Sequence, residues 1–159
     1  YKGQKFFINK ISSSPYLSRL KIIHIGNQSE VGKKLCKDSG VSNIQFFGYL
    51  SRSKINEILN EGKFGIVTSD LNDGCPRVST EVMCSGTPLI IRDKTRLLSY
   101  YTNSGSVVVF NDDNIEEKIK RSNENYKSLR EKALENVTGL LDMSIICKKN
   151  LDLWFPSKV

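Results

Sequence analysis

Five short apolar runs, each rich in β-branched or aromatic residues, recur along the 159-residue chain and limit the folds open to it. Segments with apolar residues at three- and four-residue spacing separate them, for example Ile55, Ile58 and Leu59 after Ser51, a residue type suited to a helix N-cap. Strands without alternating polarity, joined by helices, are typical of a parallel sheet covered on both faces. The predicted strands are Lys21–Ile25, Asn43–Phe47, Phe64–Thr68, Leu89–Ile91 and Ser106–Phe110.

This alternation predicts an α/β fold with a doubly wound, Rossmann-like parallel sheet. In such sheets ligands bind at the carboxyl ends of the strands, because helix amino termini point there. A helical tract follows the last predicted strand, from Asn114 to about Val137 and on through residues 140–154. We interpret it as scaffold. Its apolar stripe against the sheet is predicted to consist of Leu129, Ala133, Leu134 and Val137.

Length and composition indicate a single globular domain with a core of its own, since 38% of the residues are hydrophobic and 26% are charged. Four cysteines without a Cys-x-x-Cys pair, together with one histidine, argue against a zinc site, and we expect no bound metal. No apolar run approaches the roughly 20 residues of a membrane span, and no signal-peptide pattern opens the chain. A cytoplasmic location is therefore predicted.

The formal charge of +7 predicts attraction to anions such as nucleotide diphosphates, acidic lipid headgroups or nucleic acid. Charge alone does not choose among them. No lysine- or arginine-rich block is interleaved with aromatic residues, as a surface that binds single-stranded nucleic acid would require. We therefore expect no nucleic-acid partner.

Two carboxylates, Asp73 and Glu81, stand eight positions apart around a turn between a predicted strand and a predicted helix. Asp73 can accept hydrogen bonds from sugar hydroxyls, and Glu81, about two helical turns further on, can hold a ribose diol. An alternative stays open from the residues alone. In it Asp73 caps the helix and Glu81 pairs with Arg77 at a spacing of four residues.

The turn between the two acids suits a phosphate group. Gly74 tolerates a tight bend, and Pro76 fits the first position of a helix. The backbone amides of Arg77 and Val78 would then lack partners within the helix and face solvent or a ligand. The segment predicts a site for a phosphorylated sugar.

Three residues in or after the first predicted strand each allow a functional and a structural interpretation. Gly26 and Asn27 end this strand at the predicted binding edge and can approach a ligand, although turn formation explains them equally well. His24 lies inside a predicted strand, where we expect it to be packed or hydrogen-bonded rather than catalytic.

The segment from Asp73 to Pro88 resembles the E-x7-E region of retaining GT-B glycosyltransferases of the group 1 type, also called glycosyltransferase family four. The family pattern reads Glu-Gly-Phe-Pro, four apolar-leaning positions, then Glu-Ala-Met-Ala, one residue, Gly, one residue and Pro. Two further segments, Phe46–Leu50 and Lys2-Gly3, are similar to family segments near the base and the diphosphate. The residues in register are Gly74, Pro76, Glu81, Met83, Gly86 and Pro88.

This resemblance implies the carboxyl-terminal, donor-binding half of a GT-B enzyme. Its donor would be a nucleotide sugar such as a UDP- or GDP-hexose, used without a metal or other cofactor. The implied reaction is hexosyl transfer with retention, to a glycan or lipid-linked acceptor in bacterial polysaccharide synthesis. The implied catalytic residues are Asp73 and Glu81.

The resemblance also implies a role for each matching position. Lys2 would contact the diphosphate, Tyr49 would offer backbone groups to the base, and Lys54 would flank the base. Asp73 would face the transferred sugar and Glu81 would hold the ribose. The cradle for the distal phosphate and the sugar would consist of Gly74, Cys75, Pro76, Arg77 and Val78.

The chain departs from the family pattern at three places. Asp73 replaces a glutamate and is one methylene shorter, and Arg77 replaces an apolar residue. Arg92 and Arg96 follow a strand where the family is often glycine-rich. They are secondary candidates, either for anion contacts in the cleft or for surface placement.

The chain opens at Tyr1 without an initiator methionine, the preceding strand of the family or its acceptor domain. We therefore expect residues 1–159 to be a single donor domain, a fragment that is inactive by itself. The family likeness permits peripheral contact with the inner face of a membrane. The alternative function is a non-catalytic module that binds anions or nucleotides.

Overall fold

A computed structural model describes residues 3–26, 29–69, 77–95 and 104–139, which form an α/β domain. Along the chain the elements are α1 Gln4–Ser13, a 3₁₀ turn Leu17–Arg19, β1 Ile22–Ile25, α2 Ser29–Ser39, β2 Ile44–Phe47, α3 Arg52–Glu61, β3 Gly65–Val67, α4 Arg77–Cys84, β4 Leu89–Arg92, β5 Val107–Phe110, α5 Ile115–Glu124 and α6 Tyr126–Gly139. The five predicted strands are confirmed, with ends that shift by one residue. In the described ranges no helix has both the length and the apolar character to cross a membrane.

All the described strand pairs are parallel, as predicted. β1 pairs with β2 from Ile22 opposite Ile44, and β3, β4 and β5 form a second sheet with β4 in the middle. No ladder joins the two sheets within the described residues, so the strands form two parallel sheets where one was expected. Within each sheet the parallel strands bring their carboxyl ends to one edge.

The core lies on both faces of β4, which is buried along its whole length. Ile90 packs into one cluster, with residues of α1 and α5, while Leu89 and Ile91 pack into another with Val82 of α4. Ile22 of β1 and Ile44 of β2 pack against the first cluster, so the two sheets share it. Helices therefore cover both faces, which confirms the doubly wound class.

Helix α4 is held closely against its neighbours. A Cβ atom added at Gly65 of β3 would lie 2.5 Å from Val82 Cγ1, so glycine permits the close approach of α4 to the sheet. Gly86, at a φ of 67°, follows α4, and the guanidinium of Arg130 from α6 donates to its carbonyl. Thr87 Oγ1 donates to the Leu59 carbonyl at 2.9 Å. The position of α4 is thus fixed from its carboxyl-terminal end.

The predicted helical tract divides into α5 and α6 at Asn125, whose backbone and side-chain nitrogens both donate to the Arg121 carbonyl at 3.0 Å. The predicted stripe is wrong at Leu134, which is 49% exposed. Ala133 is buried as expected, and Asn136 takes a buried place by donating to the Ser104 carbonyl at 2.7 Å. The remainder of the tract, 140–154, lies outside the described residues.

His24 is packed and hydrogen-bonded, as the sequence predicts. The Gln4 amide of α1 donates to His24 Nε2 at 2.7 Å, and the imidazole lies 5.2 Å from the Phe46 ring. Among the described residues no group hydrogen-bonds the buried Nδ1, and burial lowers the pKa of His24 below 6.5. An imidazole that accepts from an amide must be neutral at that nitrogen, so protonation would break the contact with α1.

Acid should therefore destabilise the protein through His24. In the unfolded chain His24 binds a proton near pH 6.5, whereas the folded protein resists it, so stability falls as pH drops from 7 through 6.5 toward the folded pKa. The slope cannot exceed about 1.4 kcal/mol per pH unit, because His24 takes up at most one proton. The total loss of stability is limited because the side chain is only half-buried. His24→Gln should reduce the pH dependence of the free energy of unfolding between pH 7.5 and 5.5, as measured by urea denaturation. An unchanged slope would contradict this role for the only histidine in the chain.

Two serines near the ends of α4 should respond oppositely to alanine. Ser79 Oγ is buried and has no hydrogen-bond partner within the described part of the chain. Ser85 Oγ contacts the Val82 carbonyl at 2.7 Å and Thr87 Oγ1 at 2.9 Å. Ser79→Ala should raise the free energy of unfolding by about 1 kcal/mol, since it removes an unsatisfied group and improves helix propensity. Ser85→Ala should lower it by about 1–2 kcal/mol. Thermal midpoints that move in the same direction would contradict the assignment.

Candidate functional site

The segments that the sequence predicts to bind a ligand lie at the carboxyl edges of the two sheets. Gly26 follows β1, Tyr49 lies two residues after β2, and Thr68 and Ser69 follow β3. Arg92 ends β4. The fold therefore brings segments far apart in sequence to the ends where parallel sheets bind ligands.

Several predicted contacts lie outside the described residues, so their placement stays a prediction. These residues are Lys2, Asn27, Asp73, Gly74, Cys75, Pro76 and Arg96. The convergence of Asp73 with Glu81 is likewise a prediction. The described chain reaches Ser69 before this gap and resumes at Arg77, so the connection that carries Asp73 runs from the end of β3 to the start of α4.

The amino-terminal part of α4 presents an exposed surface. The helix begins at Arg77, within one residue of the predicted start at Pro76. Val78 is 48% exposed, and Glu81 is exposed one turn further along. Among the described residues the Glu81 carboxylate has no ion-pair or hydrogen-bond partner, and the Arg77 side chain lies outside them. Glu81 is thus accessible to a ligand.

Tyr49 and Lys54 are both accessible, at the loop after β2 and in the first turn of α3. Tyr49 is 84% exposed. The Lys54 amide donates to Ser51 Oγ at 3.3 Å, which confirms the predicted cap. Lys54 Nζ lies 2.5 Å from Glu57, but both side chains are about half exposed. Such a surface pair is weak and leaves the ammonium available to an anion.

Gly26 follows β1 and has a φ of 140°. Among the described residues no atom would lie within 4 Å of a Cβ added at this position. Its amide donates to the Phe47 carbonyl at 3.1 Å, and its carbonyl accepts from Ser29 Oγ at 2.7 Å. The backbone at the end of β1 is therefore held in place by hydrogen bonds to β2 and to the start of α2.

Gly3 joins the start of α1 to the end of β3. Its φ is 74°, and an added Cβ would lie only 1.9 Å from the Thr68 carbonyl oxygen. A side chain at this position would require the backbone to move. The segment that leads from Lys2 into α1 is thus packed directly on the segment that leads toward Asp73.

Arg92 takes neither of the two placements weighed for it from the sequence. Its side chain is only 8% exposed, and Nη2 lies 2.6 Å from Asp112 Oδ1. Nε donates to the same oxygen at 2.7 Å, and the guanidinium lies 4.0 Å from the centre of the Phe6 ring. A buried and paired guanidinium is neither a surface group nor an anion contact in an open cleft.

Asp112 is the residue at this edge that the sequence reasoning missed. Lys94 Nζ donates to its other oxygen at 2.5 Å. The hydrogen bond from Lys94, aided by Arg92, holds the pKa of Asp112 below its usual value. The sequence contains an indication of this ion pair. A basic residue ends β4, and an acidic residue lies two positions after the neighbouring strand β5.

An open depression of about 460 Å³ lies at the opposite edge, at the amino ends of β1 and β2. Arg19, Lys21 and Gln45 are among its lining residues. We do not assign it the binding function, because in parallel sheets helix amino termini converge on the carboxyl edge.

Comparisons with known proteins agree with this geometry. The family model described as "Glycosyl transferases group 1" matches residues 1–138. The chain also superposes on the crystal structure of WaaG, described as "a glycosyltransferase involved in lipopolysaccharide biosynthesis", with a TM-score of 0.74 and 17% sequence identity. The match covers 98% of this chain and 44% of WaaG, so the chain spans less than half of that protein. The comparison with curated proteins gives no match.

The structural likeness extends over 98% of this chain, which has the fold of part of a GT-B glycosyltransferase. The family match takes in the described segments at the carboxyl edges together with the segment from Asp73 to Pro88. The chain therefore belongs to the group 1 glycosyltransferases.

Proposed function

We propose that this chain is the donor-binding domain of a retaining hexosyltransferase that uses a UDP- or GDP-sugar. One observation carries the proposal. Helix α4, held by Gly65, Arg130 and Thr87, presents the exposed Glu81 near its amino terminus, and the family likeness supports a donor at this position. A carboxylate on a fixed helix suits the vicinal hydroxyls of a ribose.

The leaving group in such a reaction is a nucleotide diphosphate, which gains negative charge as the glycosidic bond breaks. Helix amino termini and fixed cations stabilise that charge. We propose that Lys2, beside the α1 start, and the residues 74–78 at the α4 start supply this stabilisation. Asp73 would contact the transferred sugar. No step in this scheme uses a metal or another cofactor.

We propose further that the acceptor is a glycan or a lipid-linked glycan bound by a separate domain, in bacterial polysaccharide synthesis. The comparison with WaaG supports this, since the chain spans less than half of that glycosyltransferase. No strand pairing joins the two sheets in the ranges that the structure describes, which supports the expectation that a further central strand completes the domain. The transfer reaction would therefore require the full-length protein.

The distribution of charge supports contact with an anionic membrane surface. Residues 1–43 contain eight lysines and arginines but only two acids, which accounts for six of the seven net positive charges. In this part of the chain α1 packs against α2, and Lys34 and Lys37 on α2 are exposed. Clustered exposed cations favour acidic lipid headgroups, each by about 1 kcal/mol.

Nucleotide titration tests the donor site. Glu81→Ala should weaken both UDP or GDP and the matching nucleotide sugar about 10- to 100-fold, because a charge-assisted hydrogen bond to ribose is lost. Asp73→Ala should weaken the nucleotide sugar but change affinity for the bare nucleotide much less. Glu61→Ala is the matched control, an exposed acid at the end of α3 beside the amino end of β3. Isothermal calorimetry on the full-length protein would measure all three variants.

The alternative function, an anion-binding module without chemistry, gives a different result in the same titration. Its affinity would fall steeply with salt and would depend little on either carboxylate. That outcome would contradict the donor-site proposal. Multiple turnovers by the isolated chain with a nucleotide sugar and an acceptor would contradict the need for a separate acceptor domain.

Vesicle sedimentation tests the membrane contact. Replacing Lys34 and Lys37 by glutamine should weaken binding to vesicles that contain 30% phosphatidylglycerol about 10-fold or more. Replacing Lys127 and Lys132, exposed on α6, is the matched control and should have little effect. Equal losses from both pairs would show non-specific attraction, and no loss from the α2 pair would contradict the proposed surface.

A further inference from the structure

A buried guanidinium links separate segments of the carboxyl edge. Arg92 is the last residue of β4, and its buried side chain pairs with Asp112, which follows β5. The ion pair neutralises Arg92, and Lys94 also contacts Asp112 but remains about half exposed. Arg92 is therefore shielded from any ligand outside, and its effects must pass through the residues that it touches.

One of these contacts is with α1. The guanidinium lies 4.0 Å from the centre of the Phe6 ring, which in turn stacks on Phe110 at a centroid distance of 6.4 Å. Phe6 lies in the first turn of α1, three residues after Gly3. Arg92 thus holds the start of α1 against the end of the sheet.

The other contacts are with the chain that leaves β3. Arg92 Nη1 donates to the Thr68 carbonyl at 3.5 Å, and Thr95 Oγ1 donates to the Ser69 carbonyl at 3.4 Å. Ser69 and Thr95 are both buried. Gly3 packs on the same Thr68 carbonyl that Arg92 contacts. Arg92 and Thr95 stand at the two ends of one turn, in which the Thr95 amide donates to the Arg92 carbonyl at 3.0 Å.

These contacts hold the two segments that lead into predicted donor contacts. Lys2 directly precedes Gly3, and Asp73 lies four residues beyond Ser69. Glu81, in contrast, belongs to α4, whose carboxyl-terminal end is fixed by separate contacts from Arg130 and Thr87. The Arg92 contacts are therefore distinct from those that position Glu81.

We propose that Arg92 is a positioning residue for sugar transfer, which holds the start of α1 and the exit of β3 in the geometry that the diphosphate and the sugar require. This inference rests on the proposed donor-binding function. Arginine is needed because its planar group stacks on Phe6 while its nitrogens reach both Asp112 and Thr68. A lysine at this position keeps the charge beside Asp112 but cannot make all three contacts.

The test uses the full-length protein with Arg92→Lys and, independently, Thr95→Val, which keeps the side-chain shape but removes the hydroxyl. Binding of UDP and GDP is measured by calorimetry. Hydrolysis of UDP-glucose and GDP-mannose, in which water takes the sugar and the nucleotide diphosphate is released, is measured as a rate. We expect the maximal rate to fall about 10- to 100-fold in Arg92→Lys, and by less in Thr95→Val. Affinity for the bare nucleotide should change less than about 3-fold.

Lys94→Met is the matched control, since Lys94 contacts Asp112 but neither Phe6 nor Thr68, and it should retain the wild-type rate. A wild-type protein that binds neither nucleotide would refute the donor-binding function itself. Wild-type turnover with unchanged rates in both Arg92→Lys and Thr95→Val would overturn only the positioning role. If Arg92→Lys does not fold, Thr95→Val decides the outcome. A rate loss matched by equal losses of folded protein and nucleotide affinity would reduce the role to stability and overturn the proposal.

Discussion

The burial of β4 on both faces is the constraint on which the rest of the structure depends. Leu89 and Ile91 fill one core cluster while Ile90 fills the other, so neither face of this strand can be left to solvent. Helices must then pack on both sides, and parallel strands joined by helices place the helix amino termini at one edge. The location of the candidate site is a consequence of this packing.

Two sets of contacts then refine that edge. Gly65, Gly86 and Arg130 hold α4 close to the sheet and fix Glu81 on its exposed side. Arg92 and Gly3 hold the start of α1 against the exit of β3. The first set consists of two glycines and of the Arg130 guanidinium at the carboxyl-terminal end of α4. The second set depends on the buried ion pair of Arg92 with Asp112. A site on such fixed elements can hold a flexible, charged donor with little reorganisation.

Much of the fold could be predicted from the sequence, because apolar runs and helical spacing report directly on local structure. The strands, the Ser51 cap and the packed His24 follow from such patterns. Leu134 was misplaced because Asn136 takes a buried place through contacts with Ser104 and Ser106, which lie 32 and 30 residues away in the sequence. Arg92 was misjudged for the same reason, since its partner Asp112 lies 20 residues away. The resemblance of the motifs identified the family, but it did not predict the buried contacts of Arg92 at the carboxyl edge.

A crystal structure of the full-length protein with UDP-glucose or GDP-mannose would test the central claim most directly. We expect the ribose hydroxyls on the Glu81 carboxylate, the diphosphate between the starts of α1 and α4, and the sugar beside Asp73. A nucleotide bound elsewhere, for example in the depression lined by Arg19 and Lys21 at the opposite edge, would contradict the claim.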